Sequence, residues 1–247
     1  MACITLENVH LRYPLMGDTA KSLRARLASV VSGKQRGDTR PIYVDALQDL
    51  SLDLHDGDRI GLIGTNGAGK SSLLRMMAGI YQPTSGRLIR EGNVLTMFDL
   101  SYGMDEEADG LENIEIAAAI LGIPGKDLSH IKAEVSEFSE LGDALLRPIR
   151  TYSAGMRVRL AFGLVSSLNA DILLIDEIIG VGDSRFMKKA SVRISKQVES
   201  AKIFVLASHA ESVLRDFCTT GVVMSGGRIQ FHGPINDALR FYNLSEG

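Results

Sequence analysis

The chain has 247 residues, 45% of them hydrophobic, which is enough to bury one sizeable core or one core with an inserted lobe. Its formal net charge of −3 excludes a chain that is basic throughout, and we predict no nucleic-acid partner. The two cysteines, Cys3 and Cys218, lie far apart without the spacing of metal ligands. This excludes a disulfide framework and favours a reducing compartment.

The apolar runs predict neither a secretion signal nor a membrane-spanning helix. Glu7 interrupts the N-terminal residues before an apolar stretch of signal-peptide length develops. The longest uncharged apolar run, residues 160–170, is much shorter than the roughly 20 residues that a spanning helix needs. If the protein works at a membrane, we therefore expect a partner subunit to cross it.

The first part of the chain predicts β-structure followed by a strand–loop–helix unit. Apolar residues beginning at Ile4 open a short strand, and a polar stretch with glycines follows over residues 17–40. A second strand is predicted over residues 50–54. The run RIGLI at residues 59–63 then forms a strand that passes through a glycine loop into a helix ending near residue 78.

Helices and strands alternate through the rest of the chain. Two predicted helices form an inserted lobe, at residues 112–121 and 128–141. Two apolar runs of strand length follow, at residues 172–175 and 203–207. After residue 222 we expect one or two strands, a turn at Gly233 and Pro234, and a last helix. The alternation predicts an α/β fold with a mostly parallel sheet and an N-terminal antiparallel β region.

The strongest motif is the glycine-rich loop after residues 59–63. Residues 64–71, GTNGAGKS, fit the pattern G-x-x-x-x-G-K-[ST] of loops that bind nucleotide phosphates. Lys70 is placed to reach the outer phosphates, and Ser71 offers a hydroxyl to Mg²⁺. A glycine turn that only connects a strand to a helix is the alternative. We predict that a nucleotide is bound by Gly64, Thr65, Asn66, Gly67, Ala68, Gly69, Lys70, Ser71 and Ser72.

Two adjacent carboxylates, Asp176 and Glu177, follow the strand predicted at residues 172–175. Successive strand residues point to opposite sides, so Asp176 can hold Mg²⁺ while Glu177 turns towards the γ-phosphate. A carboxylate there can polarise an attacking water, which makes Glu177 the predicted catalytic base. A solvated turn is the alternative for an acidic pair, but the phosphate loop upstream favours the site.

His209 lies just beyond the strand predicted at residues 203–207. Open α/β sheets bind ligands at the carboxyl ends of their strands, so His209 should converge with Gly64 and Asp176 on one edge. We predict that His209 contacts the γ-phosphate or positions the attacking water. A structural histidine is the alternative.

Residues 152–156, YSAGM, precede an amphipathic run and place a serine cap at a helix start. Taken alone, this pattern is only a cap. Beside the other motifs it resembles the signature loop of ABC ATPases, in which a helix N-terminus binds the γ-phosphate held by the opposite subunit. The signature residues are Ser153, Ala154, Gly155 and Met156.

The phosphate loop, signature, acidic strand end and histidine occur in the order found in ABC ATPases, and the resemblance covers nearly the whole chain. It implies a homodimer that holds ATP and Mg²⁺ between its copies, with the signature supplied by the opposite copy. Asp183 resembles the residue of the family's dimer-contact loop. Tyr13 resembles the family's adenine-stacking aromatic, with Tyr43 as the alternative because an insertion follows Tyr13.

Some positions depart from the common family pattern. Ala154 stands where transport ATPases commonly have glycine, and Ile178 stands where proline usually follows the catalytic carboxylate. No glutamine occurs between Gln82 and the helical lobe, and Asp99 lies near the expected place of the family's lobe-linking glutamine. Asp99 is therefore a candidate third ligand of the metal, beside Ser71 and Asp176.

The same departures resemble one subfamily. YSAGM, residues 181–186 and the run FDLSYGMDEEADGLENI resemble ATPases that export lipid-linked polysaccharide, O-antigen exporters of lipopolysaccharide above all. Teichoic-acid and capsule exporters are near relatives, and a soluble ABC ATPase without a transporter is the other class. The resemblance implies a peripheral subunit at the cytoplasmic face of the bacterial inner membrane. Its partners would be integral membrane permease subunits, and the glycan cargo would not be bound directly.

This interpretation makes residues 1–247 a single nucleotide-binding domain. Its expected parts are an ATP-binding core at 1–99 and 160–221, a helical lobe with the signature loop at 100–159, and a C-terminal extension at 222–247. Within residues 17–40, an apolar helical face and six cations could rest on anionic lipid or on the transporter's cytoplasmic loops. A solvated surface helix is the alternative.

Overall fold

A computed structural model describes residues 1–15, 42–98, 104–120, 123–176 and 184–246. The strands are β1 (Cys3–Leu15), β2 (Ile42–His55), β3 (Arg59–Ile63), β4 (Ser85–Glu91), β5 (Val94–Met97), β6 (Ile172–Asp176), β7 (Ile203–Ala207), β8 (Thr220–Ser225) and β9 (Arg228–Pro234). The helices are α1 (Lys70–Met77), α2 (Gly110–Ile120), α3 (Gly125–Ser139), α4 (Ala154–Ser166), α5 (Ser184–Ser200), α6 (Glu211–Phe217) and α7 (Ile235–Glu246). Two 3-10 helices, Gly142–Leu146 and Ile149–Thr151, lead from α3 to α4. Within these ranges no helix has both the length and the apolar character needed to cross a membrane.

A six-stranded sheet in the order β5-β6-β7-β3-β8-β9 forms the centre of the fold. Its first five strands pair in parallel, and β9 runs antiparallel to β8. Parallel neighbours need crossover connections, which the helices between the strands provide. The prediction of a mostly parallel sheet is confirmed, and the carboxyl ends of β3, β6 and β7 lie at one edge.

Alternate residues of the central strands fill two cores, one on each face of the sheet. On β7, Val205 packs into one core and its neighbours Phe204 and Leu206 into the other, and all three are at most 1% exposed. The antiparallel sheet β2-β1-β4 and α1 cover the first face, and α5, α6 and α7 cover the second. A strand buried on both faces needs a continuous apolar run, which residues 203–207 supply.

Helices α2, α3 and α4 build a third apolar cluster beside the sheet. Its buried members include Ile114, Ile131, Val135, Leu145 and Leu160. At the start of α2 the Asp109 carboxylate accepts a hydrogen bond from the Glu112 N–H at 2.8 Å, and the Glu112 carboxylate accepts from the Asp109 N–H at 2.9 Å. This reciprocal cap makes the helix begin at Gly110, earlier than the predicted residue 112.

The C-terminal strands differ from the prediction. Gly233 and Pro234 form no turn, because they end β9 and pair with Gly221 and Thr220 of β8. Proline is tolerated at this position since β9 is an edge strand. Residues 226 and 227, between β8 and β9, form the turn instead.

Two of the expected internal boundaries fall inside elements of structure. The boundary at residue 222 cuts β8, whose Val222 and Val223 are buried in the central sheet. The boundary at residue 160 cuts α4. The strand and the helix therefore each join the two parts that the sequence separated, and the rest of the division stays a prediction.

Candidate functional site

The phosphate loop, residues 64–71, directly follows β3 and therefore begins at the edge where the parallel strands end. Helix α1 begins at Lys70, and its N-cap Gly69 has a φ of +107°. A side chain on Gly69 would place its Cβ 2.9 Å from the carbonyl oxygen of Ala46, so only glycine fits. No side-chain cap occupies the first N–H groups of α1, and the positive end of the helix opens towards the loop.

The Lys70 side chain is buried inside the loop, with 8% of the residue exposed. Its Nζ donates hydrogen bonds to the carbonyl oxygens of Gly64, at 2.5 Å, and Thr65, at 3.0 Å. A buried ammonium is costly without such acceptors, and these two hold it in one place. The loop therefore presents a fixed positive charge to any anion that enters it.

The loop forms one wall of a pocket with a volume of about 350 Å³. The pocket brings together four parts of the predicted site, namely Tyr13, residues 65–72, Asp176 and His209. Asp176 and Ala207 lie opposite each other on β6 and β7, which places both strand ends at the loop. Gly64 is buried behind this lining and takes part through its carbonyl to Lys70.

Two oxygen-bearing side chains of the pocket could hold a metal ion. Ser71 and Asp176 are both half-buried and line the same space. In the part of the chain that the structure describes, no group of three or more His, Cys, Asp and Glu side chains could hold an ion unaided. A hydroxyl and a carboxylate suit Mg²⁺, which usually completes its shell with phosphate oxygens and water.

The two aromatic candidates differ in their surroundings. Tyr13 lines the pocket, donates a hydrogen bond to the Ser72 hydroxyl at 3.3 Å, and meets the Tyr81 ring edge-on with centroids 5.4 Å apart. Burial raises the pKa of Tyr13, so its phenol stays a donor. Tyr43 is 50% exposed and lies beneath the Arg12 guanidinium, outside the pocket lining. Its position in the pocket favours Tyr13 over Tyr43 as the residue that stacks on adenine, and the stacking itself stays a prediction.

His209 lies on the exposed side of the pocket, beyond the end of β7. The preceding Ser208 is 7% exposed, and its hydroxyl accepts a hydrogen bond from the Ala210 N–H at 3.1 Å. This short turn fixes the backbone on both sides of His209. Sequence reasoning missed Ser208, although a serine directly before a histidine at a strand end was a usable signal.

Sequence reasoning also missed the pocket residues Val44, Asp45 and Ala46. Strands β1 and β2 are antiparallel, and Tyr13 pairs with Val44, so this part of β2 reaches the pocket beside the aromatic ring. The signal lay only in the register of the two strands. The long stretch between them in the sequence hides that register.

The signature residues Ser153, Ala154, Gly155 and Met156 do not line this pocket. Ser153 caps α4 as predicted, because its hydroxyl accepts a hydrogen bond from the Met156 N–H at 3.3 Å. Ser153 and Ala154 are exposed. A Cβ on Gly155 would approach only the Ser153 hydroxyl oxygen, at 4.0 Å. The start of α4 is therefore an open surface, and its binding of phosphate stays a prediction.

Three predicted residues lie outside the part of the chain that the structure describes. These are the catalytic base Glu177, the dimer-contact residue Asp183 and the candidate metal ligand Asp99. The insertion at residues 17–40 also lies outside it. Their roles stay predictions, although Asp176, directly before Glu177, reaches the pocket.

A larger cavity, of about 1120 Å³, lies between α3 and α5 and contains none of the predicted site residues. Its lining includes Asn93 and Ala170, which come before β5 and β6. It therefore opens at the amino ends of the parallel strands, whereas open α/β sheets bind ligands at the carboxyl ends. The smaller pocket, with its fixed cation, is therefore the better candidate for a nucleotide site.

Comparison with known proteins places the chain in a family. Residues 47–180 match the family model described as ABC transporter. The chain is 44% identical over 220 residues to the O-antigen export system ATP-binding protein RfbE of Yersinia enterocolitica, covering 88% of this chain and 92% of that protein. It is 38% identical over 197 residues to the teichoic acids export ATP-binding protein TagH of Staphylococcus haemolyticus, covering 80% of this chain and 74% of that protein.

Solved structures show the same fold at lower identity. An ATP-binding subunit of an ABC transporter superposes with a TM-score of 0.72 at 18% identity, covering 99% of this chain and 95% of that chain. A dimeric, post-hydrolysis ATP-binding cassette bound to ADP and phosphate gives a TM-score of 0.69 at 19% identity, covering 94% and 98%. The predicted cassette fold is confirmed. The chain therefore belongs to the ABC transporter family, as one of its ATP-binding, ATP-hydrolysing subunits.

Proposed function

We propose that this chain is the ATP-hydrolysing subunit of a transporter that exports lipid-linked polysaccharide of the O-antigen type across the bacterial inner membrane. The observation that carries this is the 44% identity to an O-antigen export ATP-binding protein, over 88% of this chain and 92% of that protein. An identity this high over nearly the full length of both proteins supports a shared function as well as a shared fold. The subunit is then peripheral at the cytoplasmic face, and integral permease subunits cross the membrane.

The ATP is proposed to lie between two copies of the chain. The phosphate loop, Asp176 and His209 line one pocket, and the signature residues of the same copy are not part of it. A second copy can bring Ser153 and Gly155 to the open side, where the positive end of α4 meets the γ-phosphate. Two ATP molecules then close the pair, and hydrolysis reopens it to drive the permease.

Each residue has a separate part in the proposed hydrolysis. The Lys70 ammonium and the loop N–H groups bind the phosphates and offset the charge that develops on the outer phosphoryl group. Glu177 takes a proton from water as the water oxygen bonds to the γ-phosphorus and the bond to the β-phosphate oxygen breaks. His209 holds the γ-phosphate or the water. Ser71 and Asp176 would hold Mg²⁺, which would supply positive charge to offset the charge of the phosphates.

Export of teichoic acid is the second candidate, because of the 38% identity to a teichoic acids export ATP-binding protein over 80% of this chain. The two candidates share the ATP site and differ in cargo. We propose that the cargo glycan does not contact this subunit, so only an experiment in cells distinguishes them.

The enzymatic part is tested with Glu177→Gln, which keeps the shape of the side chain and removes the base. We expect ATP affinity near that of the parent and a turnover that falls by about a hundredfold or more. Glu199→Gln, an exposed change on α5 away from the pocket, is the matched control and should keep full activity. Turnover at the parent rate in Glu177→Gln would show that another group is the base.

The cargo is tested in the native bacterium carrying Glu177→Gln in place of the parent gene. Surface polysaccharide is profiled on gels, and lipid-linked glycan is extracted from the inner membrane. Loss of the surface polymer with accumulation of its lipid-linked precursor supports export of that polymer. An unchanged profile in a strain whose subunit is inactive as an ATPase contradicts polysaccharide as the cargo.

A further inference from the structure

The turn between β8 and β9 lies against the phosphate loop. The Gly227 N–H donates a hydrogen bond to the Ala68 carbonyl oxygen at 3.0 Å. The Gly227 carbonyl oxygen accepts one from the Gln48 N–H on β2 at 2.8 Å. These two bonds, which we call the hairpin contact, join the loop to β2 through the backbone of a single residue.

The hairpin contact leaves no room for a side chain at position 227. Gly227 has a φ of +77°, and a Cβ there would lie 2.7 Å from the Ala46 carbonyl oxygen. A Cβ on Gly69 would lie 3.3 Å from the Gly227 Cα. Both obstacles are backbone atoms, so no rotation of a side chain can relieve them. Three backbone segments meet here at the closest distance that glycine allows.

The hairpin contact also fixes the direction of one peptide group in the loop. The described residues contain no cis peptide bond, and in a trans peptide the C=O and N–H groups point in opposite directions. Because the Ala68 carbonyl points at Gly227, the Gly69 N–H points away from the hairpin. Gly69 lines the pocket, and N–H groups at such a helix start are donors for phosphate.

We propose that Gly227 is a positioning residue for ATP hydrolysis. Its hydrogen bond holds the peptide between Ala68 and Gly69 in the orientation in which the Gly69 N–H donates to a nucleotide phosphate. Gly227 acts through the loop and touches no reacting atom. The inference rests on the proposed ATP site at residues 64–72.

The Gln48 side chain strengthens the same contact. Its Nε2 donates a hydrogen bond to the Gly226 carbonyl oxygen at 3.1 Å, and its Oε1 accepts one from the Arg228 guanidinium at 3.2 Å. Gln48 of β2 therefore contacts the turn through two further hydrogen bonds. Removing this side chain loosens the turn without placing an atom where none fits.

The test compares Gly227→Ala with its neighbour Gly226→Ala. Gly226 also has a positive φ, +54°, so alanine strains the backbone at both positions, but a Cβ on Gly226 meets nothing within 4 Å. ATP affinity is measured by titration at a temperature where circular dichroism shows each variant folded. We expect the Kd to rise about fivefold to tenfold for Gly227→Ala and to stay within about twofold for Gly226→Ala.

Steady-state kinetics add a readout that a purely structural role would not move. In Gly227→Ala the KM for ATP should rise more than kcat falls, because the loop is displaced while the base is not. Equal ATP affinities in the two variants would overturn the proposal, since Gly227 would then contribute only to the stability of the fold.

Two further variants keep the result decisive. If Gly227→Ala does not fold, Gln48→Ala replaces it, with ATP binding expected to weaken about twofold to threefold and parent affinity counting against the proposal. Lys70→Ala is titrated alongside. If Lys70→Ala binds ATP with the affinity of the parent, the proposed ATP site itself is contradicted. If Lys70→Ala loses affinity while Gly227→Ala keeps the affinity of the parent, only the role of Gly227 is contradicted.

Discussion

Helices α1 and α4 both begin at a glycine-containing motif that is predicted to bind phosphate, but the surroundings of the two glycines differ. At Gly69 a side chain would meet the Ala46 backbone at 2.9 Å, whereas at Gly155 it would approach only the Ser153 hydroxyl, at 4.0 Å. The fold itself requires glycine at the first position. Nothing in the described residues requires it at the second, so a side chain at Gly155 would be excluded only by a ligand or a second copy.

The same two helix starts differ in how their donors are used. Helix α1 has no side-chain cap, so its first N–H groups are left for an anion. Helix α4 is capped by Ser153 through the Met156 N–H. The start of α1 is thus uncapped by a side chain, and the signature is a capped helix start on an open surface. The variants of Lys70, Gly69 and Gly155 each change one of these two helix starts, and the variants of Tyr13 and Tyr43 change aromatic side chains.

The largest effect is expected for Lys70→Ala, which removes the fixed cation of the phosphate loop. ATP affinity should fall by about a hundredfold, because the phosphates lose the charge of a buried ammonium. Isothermal titration measures the change. The control is Lys202→Ala, which removes a lysine paired with Asp171 at the start of β7, away from the pocket. Similar losses in the two variants would contradict a specific role for Lys70.

The second effect concerns stability alone. Gly69→Ala should lower the free energy of unfolding by about 3 kcal/mol, because it combines a positive φ with a clash against backbone. Gly67→Ala has a φ of +83° but meets nothing within 4 Å, so a loss of about 1 kcal/mol is expected. Urea unfolding without nucleotide compares them. Equal midpoints would mean that Ala46 yields and that the loop is not held as tightly as its contacts indicate.

The third effect separates stability from activity at the signature. Gly155→Ala should stabilise the protein by about 0.5–1 kcal/mol, since alanine favours the helix and has space. ATPase activity should nevertheless fall about tenfold, because the added methyl group faces the nucleotide of the other copy. Gly125→Ala, at the open start of α3, is the matched control and should keep full activity. Parent activity in Gly155→Ala would remove the evidence for a composite site.

The sequence predicted those parts of the molecule whose signal is local. The apolar run at residues 203–207 indicates a strand buried on both faces, and the structure buries that strand in full. Residues 64–71 form a contiguous motif, so the phosphate loop and the following helix were found together. Local signal also explains the cap at Ser153, which needs only a residue three positions further on.

The missed features depend on contacts between distant segments. Val44 reaches the pocket through the register of β2 against β1, and Gly227 reaches the loop through a hairpin far along the chain. A glycine pair between two strands predicts a turn, but no pattern states what the turn will touch. The Gly233 and Pro234 turn was wrong for the same reason, since only the pairing with β8 shows that this dipeptide ends an edge strand.

The smallest effect distinguishes the two aromatic candidates, of which Tyr13 lines the pocket and Tyr43 does not. Tyr13→Ala should weaken ATP binding by roughly fivefold, because the base loses a stacking surface. Tyr13→Phe keeps the ring and removes the hydrogen bond to Ser72, so its affinity should stay within about twofold of the parent. Tyr43→Ala should bind ATP like the parent, because Tyr43 lies outside the pocket lining. Titration of the three variants decides the question, and a loss confined to Tyr43→Ala would assign the stacking to β2, where Val44 and Asp45 already reach the pocket.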